Sequence, residues 1–239
     1  MRFLKDNGLS LGFGALFVLT LVGQALSGTG DYNADRVSEG LAEISVLRYV
    51  SSSTFAVDMM ENWQSEYLQF FLFVFATVYL VQLGSAESKE PDKIGTETDE
   101  EQKVGKYARK DSPPWVRAGG WRTTLYSRSL GFLMLALFVL TWVSSSVGGW
   151  STFNNEQLMA HSDPVTWAAY LGEADFWNRS FQNWQSEMLA VGSMVIFTVY
   201  LRQRGSPESK PVGAPHGATG RPADGDPAPW SGAEVAQKA

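Results

Sequence analysis

Apolar residues along the chain gather into four runs of roughly 14 to 18 residues, close to the length that crosses a bilayer. Between the runs the sequence turns to Gly, Ser, Pro and charged residues. The pattern predicts helices at about 9–26, 65–83, 129–147 and 186–202, because a helix satisfies its own backbone hydrogen bonds in lipid.

The runs are not independent. Asn62-Trp63-Gln64-Ser65-Glu66 returns as Asn183-Trp184-Gln185-Ser186-Glu187, a shift of 121 positions, and 17 of the 28 positions in 62–89 match their partners at that shift. Leu16-Phe17-Val18-Leu19-Thr20 recurs as Leu137-Phe138-Val139-Leu140-Thr141 at the same distance. A unit of helix, polar connection and helix is therefore repeated, and two copies that each cross twice must enter from the same side. The first run also has the charged and apolar regions of a signal peptide. Its match to a mid-chain run predicts a retained helix instead.

The expected fold class is all-α and integral to the membrane, with four transmembrane helices as two tandem parallel-repeat hairpins. Residues 1–89 form the first hairpin, 90–120 a cytoplasmic linker, 121–210 the second hairpin and 211–239 a tail. Acidic stretch 87–101 has no aromatic residue to bury, and the chain beyond Gly205 is rich in Pro and Gly; both are expected to be disordered. Residues 103–128 are basic and carry Tyr107, Trp115, Trp121 and Tyr126, which suits either a solvated linker or a segment on anionic lipid.

Charge sets the orientation. Sixteen of nineteen Lys and Arg residues fall in the N-terminus, the linker and the tail, leaving Arg36, Arg48 and Arg179 in the two loops. Positive residues accumulate on the cytoplasmic side, so both termini and the linker are expected inside. The net charge of −6 speaks against a nucleic-acid partner. With no cysteine and only His161 and His216, the sequence lacks thiolate sites and the paired histidines of a membrane haem; no cofactor or metal is expected.

The repeated pentapeptides are the candidate functional or capping residues: Asn62, Trp63, Gln64, Ser65 and Glu66, with Asn183, Trp184, Gln185, Ser186 and Glu187. One reading makes Asn62 or Ser65 a helix cap, the tryptophan an interface anchor and Glu66 a first-turn carboxylate facing the helix dipole. The other brings Glu66 and Glu187 together as a paired site for a cation or proton. Each unit closes on Gly-Ser-x-Glu-Ser-Lys, at Gly84 to Lys89 and Gly205 to Lys210. There a left-handed glycine and a lysine suit a helix end. Gly8 with Gly12, and Ser144 with Gly148, are spaced for close helix approach.

The duplicated Asn-Trp-Gln-Ser-Glu start, the Gly-Ser-x-Glu-Ser-Lys end and the opening Asn7-Gly8-Leu9-Ser10 resemble an uncharacterised family of bacterial integral membrane proteins, a domain of unknown function. The resemblance covers residues 2–210 and implies a bacterial cytoplasmic membrane, without naming a reaction. The expectation is a non-enzymatic structural or accessory component whose partners are the lipid bilayer and a membrane protein or second copy. The alternative is a small-ion or proton transporter or channel using the two carboxylates.

Overall fold

The structure is a computed structural model and describes residues 2–220. Among these residues it is helical without strands: α1 (Arg2–Asp6), α2 (Gly8–Ser38), α3 (Val46–Val50), α4 (Ser53–Tyr79), α5 (Trp115–Ala118), α6 (Gly120–Ser127), α7 (Ser129–Met159), α8 (Trp167–Tyr170) and α9 (Ala174–Tyr200). Short 3-10 turns lie at Pro91–Lys93 and Gly105–Tyr107.

Helix bounds recur at the spacing seen in the sequence. Both α2 and α7 have 31 residues, both α4 and α9 have 27, and each pair starts 121 positions apart. The four long helices match the four apolar runs but extend past them. At its C-terminal end α2 continues through polar Asp31 to Ser38, and α4 begins at Ser53 rather than near 65. Polar residues here extend a helix already paid for by its apolar part, since propagation adds one bond per residue fixed.

Two helices, α2 and α7, are long and apolar enough to cross a membrane, where four were expected. Helices α4 and α9 are nearly as long, but their first halves are polar, with Asp58, Glu61 and Glu66 in one and Asp175, Arg179 and Glu187 in the other. None of the most apolar window of α2 is buried, and 17% of that of α7. Leu9, Phe13 and Leu19 of α2 are 76%, 66% and 68% exposed. Apolar surface of this extent is not left to water by a soluble monomer.

The described residues form two compact units, 2–62 with 141–178 and 63–140 with 179–220. In the first, the core holds Tyr49, Phe55, Val57, Tyr170 and Phe176. Tyr49 meets Tyr32 and Phe55 at ring-centroid distances of 5.5 and 5.4 Å, and Tyr170 meets Phe153 and Phe176 at 5.4 and 5.7 Å. The residues correspond pairwise at the same shift. Glycine is required beside each tyrosine, because a Cβ on Gly28 would lie 2.5 Å from the Tyr49 hydroxyl and one on Gly149 would lie 2.6 Å from that of Tyr170. Gly148 admits Val57 in the same way, whereas Gly8 and Gly12 face open space. Only the second of the two small-residue pairs thus serves close packing.

In the second unit the linker is more structured than its composition suggests. Lys89 pairs with Glu97 at 2.7 Å and donates to the Gly95 carbonyl at 3.0 Å, while Thr98 donates twice to the Glu101 carboxylate at 2.8 Å. Local polar bonds hold this stretch, so its lack of aromatic residues does not leave it shapeless. Beyond Gly205 the described residues also pack: the Gly84 amide donates to the Thr219 hydroxyl at 2.8 Å and the Gly220 amide to the Ser85 carbonyl at 3.0 Å. Residues 221–239 of the expected disordered tail lie outside the described residues.

Candidate functional site

Both pentapeptides lie in helix interiors, because α4 and α9 start well upstream at Ser53 and Ala174. The capping reading is therefore corrected: neither Asn62 nor Ser65 is an N-cap, and Glu66 is not in a first turn. Each asparagine instead turns back on its own helix. Asn62 Nδ2 donates to the Asp58 carbonyl at 2.7 Å, and Asn183 Nδ2 to that of Arg179 at 2.9 Å. Such back-bonding is what a short polar side chain does in mid-helix.

The remaining residues of the two copies are brought together, and they play unequal parts. Trp184 Nε1 donates to the side-chain oxygen of Gln64 at 2.8 Å. Gln64 and Ser65 are 1% and 2% exposed, while their counterparts Gln185 and Ser186 are exposed. Ser186 hydroxyl donates to the Asn183 carbonyl at 2.9 Å. Trp184 is flanked edge-on by Phe138 and Phe181, at 6.2 and 5.6 Å. Burying a carboxamide is costly unless its oxygen finds a donor, and the indole N–H supplies one. Trp63 is half-buried in the same unit.

Two residues along, Glu66 is exposed and Glu187 half-buried. Among the described residues no group of three or more His, Asp or Glu side chains is placed to hold a metal ion.

A second contact joins the turn after α4 to the end of α9: the hydroxyls of Ser85 and Thr198 share a buried hydrogen bond of 3.1 Å. With Gln64 meeting Trp184 near the starts and Ser85 meeting Thr198 near the ends, the 63–79 and 179–200 portions run side by side in parallel. The turns that follow have one design in both copies. The amides of Gln82 and Gln203 donate to the hydroxyls of Ser88 and Ser209 at 2.8 and 2.9 Å, and the amides of Glu87 and Glu208 donate to those of Ser85 and Ser206 at 3.1 Å each. Gly84 and Gly205 take φ of 85° and 83°, the left-handed region expected of them. They lie beyond the last helical residues, Tyr79 and Tyr200, so they shape the turn rather than end the helix.

The lysines closing these turns differ in their partners. Lys89 has Glu97, but Ala218 stands at the corresponding place in the second copy, and Lys210 donates to three carbonyls, of Pro215, His216 and Ala218, at 3.2, 2.9 and 2.8 Å. Lys210 is 2% exposed. Burial, and then the neighbouring Arg202, lower its pKa from the ordinary lysine value.

Sequence reasoning centred on the pentapeptides passed over a second repeated device, in the loops. Asn33 bonds both backbone groups of Ile44, donating at 2.9 Å and accepting at 2.8 Å, and Asn154 does the same to Val165 at 2.9 and 2.8 Å. Each asparagine thereby holds the loop against the end of its preceding long helix. The signal was present: across 28–61, the shift of 121 leaves identities at Gly28, Asn33, Tyr49 and Phe55, and these four are the clamp and the packed core beneath it.

A family model described as a domain of unknown function, DUF6766, matches residues 1–221. No curated protein and no solved structure matches the chain.

Proposed function

Since the chain belongs to the DUF6766 family, whose description names no activity, we propose from its own geometry that it is a non-enzymatic membrane component with a structural or accessory role. It consists of two tandem parallel hairpins with four crossings, residing in a bacterial inner membrane and binding lipid and a partner membrane protein or second copy. The linker and both termini are cytoplasmic.

Support for the membrane reading comes from α2 and α7, whose apolar surfaces lie exposed along lengths sufficient to cross a bilayer. Helices α4 and α9 join them as crossings because the sequence after each pentapeptide is apolar to the helix end, and the charge excess follows in the linker and after Tyr200. Recurrence of helix bounds at one spacing supports duplication.

The observation that carries the structural role is the Gln64–Trp184 hydrogen bond. The repeated polar motif is spent on joining two helices, which is how polar side chains act between membrane helices. A second reading, a proton or small-cation pathway, takes its support from the repeated acids Glu66 and Glu187, carried on the two helices that the Gln64–Trp184 bond joins. Flux measured on the full chain in liposomes separates them. The structural role predicts proton and cation leak no greater than in empty vesicles. Robust flux that disappears in both Glu66→Gln and Glu187→Gln, with insertion intact, would establish the pathway and overturn the structural role.

A further inference from the structure

The segment ahead of α7 is a folded, basic, aromatic surface, and the membrane function proposed above leaves it unused. Between residues 102 and 128 there are seven cations, Lys103, Lys106, Arg109, Lys110, Arg117, Arg122 and Arg128, against one acid, Asp111. The chain as a whole carries −6. This local excess of +6 is therefore a patch and not a reflection of composition.

Hydrogen bonds give the patch its shape. The Arg117 guanidinium donates to the carbonyls of Arg109, Lys110 and Ser112, the latter two at 2.6 and 3.3 Å. Thr123 hydroxyl donates to the Trp115 carbonyl at 2.8 Å, which folds α6 back on α5, and Val116 is buried between them. On the outside, Trp115 and Trp121 form an edge-to-face pair 6.3 Å apart, and Arg122 lies 5.7 Å from the Trp121 ring. Trp121 is 68% exposed, and Trp115, Leu125 and Tyr126 are exposed beside it. Two acids of the preceding stretch are engaged locally, Glu97 by Lys89 and Glu101 by Thr98.

We propose that residues 109–127 form a docking surface for anionic lipid headgroups, with Trp115, Trp121 and Leu125 entering the interface and Arg109, Lys110 and Arg122 facing lipid phosphates. Three observations select this occupant. Continuity comes first: Ser127 is separated by one residue from α7, one of the two helices able to span the bilayer, so the segment is delivered to the membrane surface. Composition comes next, since exposed tryptophans beside cations suit the boundary between headgroups and acyl chains. The third is sign: residues 109–127 hold four cations against Asp111, with Lys103, Lys106 and Arg128 flanking them, and such an excess is attracted to an anionic leaflet.

The inference rests on α7 being embedded and does not need four crossings. Hydrogen exchange on the full chain in lipid nanodiscs tests it, comparing purely zwitterionic discs with discs containing anionic phosphatidylglycerol. Exchange over 109–127 is expected to slow by about tenfold or more in the anionic discs, and the slowing should diminish in high salt as the charges are screened. The triple variant Arg109→Gln/Lys110→Gln/Arg122→Gln should lose it while α7 stays protected. Equal exchange in the two lipids, with α7 protected in both, would overturn the docking surface and leave the membrane reading standing. Unprotected α7 would overturn both.

Discussion

Trp184 in α9 donates its indole N–H to the carboxamide of Gln64 in α4, so one copy of the repeated pentapeptide is completed by the other. The sequence carries the motif twice, and packing assigned the two copies different parts. Gln64 is sealed from solvent as an acceptor, and Gln185 remains outside.

Removing either partner should therefore be costly in a way that removing both is not. Gln64→Leu takes the Gln64 acceptor from the half-buried indole of Trp184, and Trp184→Phe takes the indole donor from the buried Gln64 carboxamide. Each is expected to destabilise by about 1–3 kcal/mol, with the double variant well short of the sum. Urea or detergent-titrated unfolding of the four proteins measures the coupling. The corresponding Gln185→Leu, at an exposed site, should change stability by about 0.5 kcal/mol or less.

Gly149 and Tyr170 predict a different coupling. Gly149→Ala gains roughly 1 kcal/mol of helix propensity but sets a methyl 2.6 Å from the buried Tyr170 hydroxyl. Overpacking costs about 1–3 kcal/mol, so net destabilisation is expected. Tyr170→Phe in that background should recover part of the loss, although it gives up the 3.0 Å bond to Asp175. Melting temperatures of the single and double variants check this.

The two Gly-Ser-x-Glu-Ser-Lys turns differ in what surrounds the glycine. At Gly205 a new Cβ meets open space, whereas at Gly84 it runs into the His216 backbone carbonyl. Gly205→Ala should cost only the left-handed conformation, about 1–2 kcal/mol. Gly84→Ala should cost more, because a backbone atom cannot swing aside. Exchange rates of the Ser85 and Gly220 amides should rise in the second variant and stay unchanged in the first.

Acid should loosen the first turn and spare the second. The bond from Lys89 holds the Glu97 carboxyl below its ordinary pKa. A carboxyl depressed in the folded state contributes stability that is full above its unfolded value, about 4.3, and is lost as pH falls through the folded value. Order around Lys89 and Glu97 should therefore decline in that acid window, and Glu97→Gln should reduce the pH dependence to what the Glu101 carboxylate, held low by Thr98, still contributes. In the second turn Lys210 is held by carbonyls that do not titrate.

Topology reporters decide between two crossings and four. With four, a reporter in loop 162–165 faces outward and one in 97–101 faces the cytoplasm. If α4 and α9 did not cross, both would be exchanged, because only α2 and α7 would then reverse the chain.

The sequence by itself determined the helical class, the spacing of 121 and the near ends of the long helices. Those follow from local facts: apolar runs of bilayer length and residue identity at a fixed shift. Even Gly28, Asn33, Tyr49 and Phe55 were legible as the surviving identities of a diverged loop. What only the tertiary structure decided was the use of each motif. Asn62 and Ser65 have the chemistry of caps, but packing in the first unit extends α4 back to Ser53 and turns them into interior residues. Acidic stretch 87–101 lacks aromatic residues, yet a salt bridge and carboxylate-held turns order it. Above all, identical pentapeptides could not reveal that Gln64 would be buried and Gln185 exposed. Local sequence fixes what a side chain can bond to, and the neighbouring helix fixes whether it must.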